Sequence, residues 1–319
     1  MSSVLKNPIM KVRDLKKEFH IRKGIRLITV KALRGVDLDL HENEIVSIVG
    51  ESGCGKTTLL RVLAKIYEPT SGSIKLFGNE ISGKMKYSEE LKFRKNVQMV
   101  FQDPFSALNP VKKIKHVLTR PLKIYNIPNE INVINNVLVD VELTPPEQYL
   151  EKFPHELSGG QRQRIVFARA IITKPKIILA DEPTSMLDVS IKSGILNLIL
   201  KLKNEYKISF IHVTHDLAAA KYISDRIIVM YAGMIVEEGN AKEVVDNPLH
   251  PYTMLLKEAA PDPEKHSVEK LSDSGEPPSL INPPPGCPFE PRCKYAKPQC
   301  KEPVEMRDVN GRKVRCVLY

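Results

Sequence analysis

A strand-like run, Ile45-Val46-Ser47-Ile48-Val49, stops abruptly at a glycine, and the eight residues from there on restrict the possible folds sharply. They read Gly50-Glu51-Ser52-Gly53-Cys54-Gly55-Lys56-Thr57. Leu59, Leu60, Val62, Leu63 and Ile66 follow at a spacing that buries one face of a helix. Strand, glycine-rich turn, Lys-Thr and helix together form the context of a phosphate-binding loop. Glycines let backbone N–H groups curl around phosphate oxygens, and the helix N-terminus adds partial positive charge. Lys56 reaches toward the β and γ phosphates, and the Thr57 hydroxyl is placed to ligate Mg²⁺. A glycine-rich turn with a chance lysine is the plain alternative, and the flanking strand and helix set it aside. The segment predicts binding of a nucleoside triphosphate.

At 319 residues the chain can hold one large α/β domain and a small appendage. Its 42% hydrophobic and 27% charged residues are those of a globular protein. No apolar run approaches the ~18 residues of a membrane span, and Met1 to Lys17 has no signal-peptide core, so a cytoplasmic protein is expected. The net charge of +10 suits nucleic acid, an anionic membrane face or an acidic partner. Because the basic residues are scattered, they read mainly as solvated surface, with nucleic acid the lesser option.

Short alternating runs before residue 45, such as Leu27-Ile28-Thr29-Val30 and Val36-Asp37-Leu38-Asp39-Leu40, predict an antiparallel β subdomain. Ser73 to Gly78 and Asn96 to Phe101 read as further strands. From about 103 to 157 the pattern turns helical, with Ile114, Val117, Leu118 and Leu122, then Ile131, Ile134, Val137, Leu138 and Val141. This predicts a helical insertion interrupted by loops at Pro121, Pro128 and Pro145-Pro146. Ile177 to Ala180 and Ile208 to Val213 read as buried strands flanking a helix from about Ile191 to Tyr206, which implies a mostly parallel core sheet. Past residue 260 prolines crowd in, 11 of the 24 falling between Pro261 and Pro303. The expected division is a main domain over 1–260 and a small loop-rich module over 261–319, joined by a stiff linker.

Two carboxylates, Asp181 and Glu182, end the buried run Ile177-Ile178-Leu179-Ala180. Ligands of open α/β sheets sit at the carboxyl ends of strands. Asp181 can there hold Mg²⁺ through its water shell, and Glu182 can orient an attacking water; an Asp-Glu pair opening an ordinary loop is the bland alternative. Leu157-Ser158-Gly159-Gly160-Gln161 opens another helical pattern and offers a second anion-binding helix end. One nucleotide needs one phosphate loop, so the second end suggests two chains sandwiching ATP.

Phosphate loop, LSGGQ, LADEP and Thr214-His215-Asp216 occur in the order and spacing of a known family. From about residue 10 to its end the chain resembles the ATP-binding subunit of an ABC transporter. The resemblance implies an ABC-type P-loop ATPase with Gly50, Glu51, Ser52, Gly53, Cys54, Gly55, Lys56, Thr57 and Thr58 around the phosphates. It implies Gln102 as the loop glutamine that contacts Mg²⁺ and couples to membrane subunits, and His215 as the switch histidine at the γ-phosphate. Ser158, Gly159, Gly160 and Gln161 become the signature that acts on the partner's ATP. Ser185-Met186-Leu187-Asp188 matches the D-loop, with Met186 in place of the usual Ala and the Asp188 role intact. Phe19 lies where the family stacks an aromatic on adenine; an aromatic in a β subdomain is otherwise plain core.

Met99 to Pro110, His250-Pro251-Tyr252-Thr253 and the cysteine-bearing tail are similar to the oligopeptide/dipeptide importer family, nearest its second ATPase subunit. That resemblance implies a paralogous ATPase chain as dimer partner, two transmembrane permease subunits and an extracellular solute-binding protein, with the chain on the cytoplasmic face of the membrane. Peptides are the expected cargo, with oligosaccharides or nickel as alternatives. A non-transport ABC ATPase on DNA or ribosomes is disfavoured, since Lys56 to Ser158 spans only about a hundred residues without a heptad run. A dead regulatory module is disfavoured by the intact Lys56, Gln161, Asp181, Glu182 and His215.

Cys287, Cys293, Cys300 and Cys316 gather near the C-terminus, apart from Cys54. A reducing cytoplasm argues against disulfides. Gaps of five, six and fifteen residues leave slack for a bulky [4Fe–4S] cluster. Zinc ribbons use close C-x₂₋₄-C pairs, so Zn²⁺ is the alternative, and four free thiols the plainest reading. Family resemblance also points to the cluster, as a staple for a module too short to bury much core.

Overall fold

The computed structural model describes residues 7–24, 26–259 and 275–319. The first part of the expected linker, including Pro261 and Pro263, lies outside the described residues. In chain order the elements are β1 (Met10–Lys23), β2 (Arg26–Leu40), β3 (Ile45–Val49), α1 (Lys56–Leu63), β4 (Ser71–Leu76), β5 (Asn79–Glu80), α2 (Tyr87–Asn96) and β6 (Val97–Val100). Then come α3 (Pro104–Ala107), α4 (Ile114–Ile124), α5 (Glu130–Asp140), α6 (Glu147–Leu150), α7 (Gly159–Ile171), β7 (Ile177–Asp181), α8 (Val189–Tyr206) and β8 (Ser209–Thr214). The chain ends with α9 (Leu217–Ile223), β9 (Arg226–Tyr231), β10 (Met234–Asn240), α10 (Ala241–Asp246), α11 (Pro251–Ala259), β11 (Arg307–Val309) and β12 (Arg312–Val314). Two compact units result: Met1–Lys84 with Val213–Tyr319, and Met85–His212.

The first unit carries the antiparallel sheet that the alternating runs predict, in the order β2-β1-β4-β5. The two short runs before residue 40 belong to one long strand, β2. It pairs with β1 from Met10↔Leu40 to Lys23↔Arg26, and register shifts bend the ribbon along the way. The same unit holds the run β11-β12-β10-β9-β3, with β3 parallel to β9 and the other pairs antiparallel. All five residues of β3 are buried. Its one polar side chain, Ser47, is satisfied by the Ser224 hydroxyl at 2.5 Å.

The C-terminal module is mostly turns, as its prolines require, yet it does not stand off as a loose appendage. Its hairpin β11-β12 extends the sheet, with Val314 opposite Glu237 of β10. Upstream, the Lys31 N–H donates to the Leu280 carbonyl at 2.9 Å, and the Arg34 guanidinium donates to the Pro284 carbonyl at 2.6 Å. Gly286 passes so close to the Cys300 carbonyl and Lys301 that an added Cβ would collide with their backbone.

In the second unit, β6 and β7 pair in parallel from Val97↔Ile177 to Val100↔Ala180. Every residue of β7 is buried. α7 packs Ile165, Val166, Phe167 and Ala168 into the core. The helices expected from 103 to 157 are present, but Pro121 does not interrupt them with a loop: it lies inside α4. Its lost N–H bond is tolerated because Ile114, Val117, Leu118 and Leu122 bury the helix on both sides of it. No described helix is long and apolar enough to cross a membrane.

Candidate nucleotide-binding site and cysteine module

The loop between β3 and α1 has the form the motif demands. Gly50, Gly53 and Gly55 take φ values of 155°, 79° and 108°. At Gly55 a side chain would also meet the Ala32 carbonyl oxygen at 2.5 Å, so both backbone angle and space require glycine. No side chain caps α1, a helix start suited to an oxyanion. Lys56 is 5% exposed, and its ammonium donates to the Gly50 carbonyl at 2.6 Å and the Glu51 carbonyl at 2.9 Å. Burial pushes the neighbouring Cys54 thiol up, with the Lys56 charge opposing it. Ser52 and Gly53 are exposed, while Thr57 and Thr58 are half-buried in the first turn of the helix.

His215, in the same unit, is exposed directly after β8. The turn that holds it is tied on both sides: the Asp216 N–H donates to Thr214 Oγ1 at 3.0 Å, and the Asp216 carboxylate caps α9 through the amides of Ala218 and Ala219. That is the physical content of the Thr-His-Asp order. Phe19 is half-buried, edge-on to Tyr67 with centroids 5.4 Å apart, and the Lys17 ammonium lies 5.0 Å from its centroid. It is not part of the fully buried core.

The second unit brings Gln102 and Glu182 together. The parallel register of β6 and β7 carries both just past their strand ends, where Gln102 Nε2 donates to Glu182 Oε2 at 3.2 Å. Glu182 sits at φ 43°, a left-handed conformation uncommon for a non-glycine residue and often found at functional sites. The Ser185 N–H and hydroxyl both donate to its carbonyl, at 3.2 and 3.0 Å. Asp181, at the end of β7, is 3% exposed. A buried carboxylate and an amide oxygen are the hard donors that Mg²⁺ takes, so the donor chemistry fits that ion.

Ser158 opens α7 with a complete capping box. Its hydroxyl accepts from the Gln161 N–H at 3.3 Å, and Gln161 Oε1 accepts from the Ser158 N–H at 3.1 Å. Ser158 is exposed, Gly159 half-buried and Gly160 buried. Asp188 precedes α8 and is exposed, as is Met186 beside it.

All four C-terminal cysteines, Cys287, Cys293, Cys300 and Cys316, line one apolar pocket with Phe289, Tyr295 and Leu318. None forms a disulfide. Each sulfur accepts a backbone N–H: Cys287 from Phe289, Cys293 from Tyr295, Cys316 from Leu318, and Cys300 from Lys297 at 3.4 Å. Burial and the neighbouring thiols push Cys287 up to about 11 despite the Phe289 amide. Burial raises Cys293 and Cys316 in the same direction. Among the described residues no group of three or more His, Cys, Asp or Glu side chains is arranged to hold a metal ion.

Sequence reasoning missed two residues at the phosphate loop. Arg292 forms a bidentate pair with the Glu51 carboxylate at 2.8 and 2.9 Å, and the Tyr252 hydroxyl accepts from the Glu51 N–H at 2.8 Å. Tyr252 stood in the His250-Pro251-Tyr252-Thr253 string, which marks a family branch but not a contact. Arg292 had no signal beyond its place between two cysteines.

A family model described as ABC transporter matches residues 33–185. A second, described as the C-terminal region of oligopeptide/dipeptide transporters, matches residues 236–300. The oligopeptide transport ATP-binding protein AppF of Bacillus subtilis is 42% identical over 330 residues, with 100% of both chains covered. The oligopeptide transport ATP-binding protein OppF of Salmonella typhimurium is 42% identical over 92% of this chain and 91% of its own. Among solved structures, cbiO1 of Clostridium perfringens, part of the ABC transporter complex cbiONQ, matches with a TM-score of 0.65 at 28% identity, over 76% of this chain and 92% of that one. The ATP-binding cassette MJ0796, a dimer bound to ADP and Pi, matches with a TM-score of 0.63 at 30% identity, over 73% and 98%. With full-length relatives at this identity and both regions matched in order, the chain belongs to the oligopeptide/dipeptide branch of the ABC transporter ATP-binding proteins.

Proposed function

We propose that the chain binds and hydrolyses ATP as one motor subunit of a peptide importer, working at the cytoplasmic face of the membrane through permease subunits. The observation that carries this reading is the joint presence of a formed phosphate loop with a buried lysine and a C-terminal region of the oligopeptide/dipeptide type on one chain. The full-length likeness to oligopeptide transport ATP-binding proteins supports peptides as the cargo class.

In this reading the reaction is phosphoryl transfer to water, in which positioning and charge stabilisation supply most of the catalysis. Lys56 and the amides of Gly50 to Thr58 neutralise the phosphates, Glu182 orients the water, and His215 senses the γ-phosphate. Thr57 and Gln102, with Asp181 through water, would hold Mg²⁺, which supplies Lewis-acid charge at the phosphates. The Gln102–Glu182 hydrogen bond is what supports a shared duty for those two side chains. Phe19 stacks on adenine. Ser158, Gly159, Gly160 and Gln161 act on ATP held by an unlike ATPase chain, and Asp188 lies at that seam. The ATPase domain covers 1–260, with a helical subdomain at about 103–157 that meets the permeases, and the cysteine module covers 261–319.

Cys287, Cys293, Cys300 and Cys316 hold a [4Fe–4S] cluster in this reading. Support comes from the shared apolar pocket and from a backbone N–H on every sulfur, since such bonds stabilise thiolate ligands. A zinc ion, the alternative, would need all four sulfurs at about 2.3 Å from one atom. A cluster spreads its four ligands over the corners of a cube. Anaerobically purified protein should be brown, with about four irons per chain; colourless protein with one zinc would replace the cluster by the ion.

The test of the whole reading is recovery of the tagged chain from membranes of its own host. A second ATPase chain, two permeases and ATP-driven uptake of peptides in vesicles are the expected result. A chain recovered without permeases, or a complex that moves oligosaccharide or nickel but no peptide, would overturn the motor or the cargo respectively.

A further inference from the structure

The residue between the phosphate loop's first glycine and its serine is held from three directions. Glu51 donates its N–H to the Tyr252 hydroxyl at 2.8 Å, its carbonyl accepts from Lys56 at 2.9 Å, and its carboxylate takes both ends of the Arg292 guanidinium. Arg292 belongs to the short turn between Cys287 and Cys293, two of the four pocket-lining cysteines. That turn is internally braced, with the Arg292 N–H bonded to the Phe289 carbonyl and the Cys293 N–H to the Glu290 carbonyl, at 3.0 and 3.1 Å. Its other end is fixed by the Cys287 N–H on the Cys300 carbonyl at 2.7 Å.

Beneath the guanidinium lies an aromatic platform. Tyr231 and Tyr252 are fully buried, and Phe289 is 2% exposed. Their three ring pairs have centroids 4.4 to 5.5 Å apart. Arg292 lies 5.7 Å from the Tyr231 ring and 5.6 Å from the Phe289 ring, and donates to the Tyr231 hydroxyl at 3.0 Å. Cys287 and Cys293 pack against the same cluster. The Arg292 side chain is only 7% exposed and that of Glu51 28%, so a planar fork in a largely buried seat fixes where Glu51 sits.

We propose that Arg292 is a positioning residue for the phosphate loop, through which the cysteine module sets the loop's affinity for ATP and bound ATP in turn steadies the module. Two physical effects act together. The guanidinium holds Glu51, and with it the carbonyl that carries Lys56. It also neutralises a carboxylate that would otherwise repel a triphosphate a few residues away. The inference rests on the reading of this loop as the ATP site. Coupling between two sites is reciprocal, so whatever factor the module contributes to ATP affinity, ATP returns to the module.

The experiment uses the full-length chain and two readouts: equilibrium binding of a fluorescent ATP analogue, and hydrogen–deuterium exchange of the Cys287 to Cys300 segment, followed by mass spectrometry with and without ATP. Arg292→Ala should bind the analogue about tenfold more weakly, the loss of roughly one charge-assisted hydrogen-bond pair. In the parent chain ATP should slow exchange of the Cys287, Arg292 and Cys293 amides severalfold, and Arg292→Ala should erase that protection. Should Arg292→Ala fail to fold, Arg292→Gln removes the charge and the two-point grip while keeping bulk, and is read in the same two ways. Glu51→Gln loosens the pair from the loop side but also removes the repelling carboxylate, so its own loss is smaller. The double variant should bind no more weakly than Arg292→Ala alone, because the pair is already broken. Unchanged affinity in Arg292→Ala, additive losses in the double variant, or exchange rates indifferent to ATP would overturn the coupling. Lys56→Ala separates the two levels: if it binds the analogue like the parent chain, the ATP reading of the loop fails, whatever Arg292 does.

Discussion

Two helix ends in this chain are suited to an anion, and they are built in opposite ways. α1 starts from Gly55 with no side-chain cap, and a buried lysine waits on the loop's own carbonyls. α7 starts from Ser158 with both bonds of a capping box in place, so its hydroxyl and the Gln161 amide are engaged within the helix itself. The first end has the backbone geometry of an anion site. At the second, the Ser158 hydroxyl and the Gln161 N–H are already engaged and can serve a phosphate only by exchanging one bond for another. The contrast fits the proposed division of labour, in which α1 holds this chain's ATP and α7 acts on a nucleotide that a partner brings to it.

The largest effect expected is at neither helix end. Glu182→Gln should keep ATP affinity while hydrolysis falls by about a hundredfold or more, because the amide cannot take a proton from the water. Steady-state hydrolysis and analogue binding, measured on one preparation, decide it. Near-normal turnover would leave the strained φ of Glu182 without a catalytic use.

Gly55→Ala strikes the open helix end directly. The substitution places a side chain at φ 108° and within 2.5 Å of the Ala32 carbonyl. Backbone strain of about 1–3 kcal/mol should appear as a loss of ATP affinity of roughly ten- to a hundredfold. An unimpaired binding isotherm would mean that α1 can present its amides without the glycine conformation.

Phe19→Ala asks whether the β subdomain adds to that end. If the ring stacks on adenine, affinity should fall by about 1–3 kcal/mol, the range for an aromatic–base contact. Its half-buried seat against Tyr67 allows the opposite outcome, a lower melting temperature with unchanged affinity, and that result would return Phe19 to simple packing.

What could be read from the chain alone follows from how local each rule is. The glycine turn before α1, the carboxylates Asp181 and Glu182 at the end of β7 and the Ser-Gly-Gly start of α7 are each written within eight residues, and each lies in the local structure expected of it. Pro121 shows the limit of such rules: locally a breaker, it is carried inside α4 by buried neighbours on both sides. The Arg292–Glu51 pair joins positions 241 residues apart, and nothing near either residue announces it. The C-terminal hairpin likewise finds β10 through packing, where a reading by composition expected only loops behind a proline-rich linker. Short-range structure is legible in the sequence, and the long-range seat of the cysteine module is not.

The smallest effect should come from the closed helix end, and it separates the two duties that Ser158 could have. Ser158→Ala removes the bond from the Gln161 N–H, at a cost of about 1 kcal/mol of stability, with this chain's ATP binding at Lys56 unchanged. Stability alone cannot distinguish a cap from a phosphate contact. Ser158→Asp can, because aspartate is an equally good cap and suits a helix N-terminus, so the melting temperature should return to that of the parent chain. The same carboxylate would face the γ-phosphate of ATP on the partner chain and repel it. Mixed dimers of Ser158→Asp with an unmodified partner should therefore melt normally while hydrolysis at the partner's loop falls below that of Ser158→Ala. If hydrolysis recovers together with stability, the serine is a helix cap and nothing more, and the signature's work falls to the amides of Gly159 and Gly160 and to Gln161.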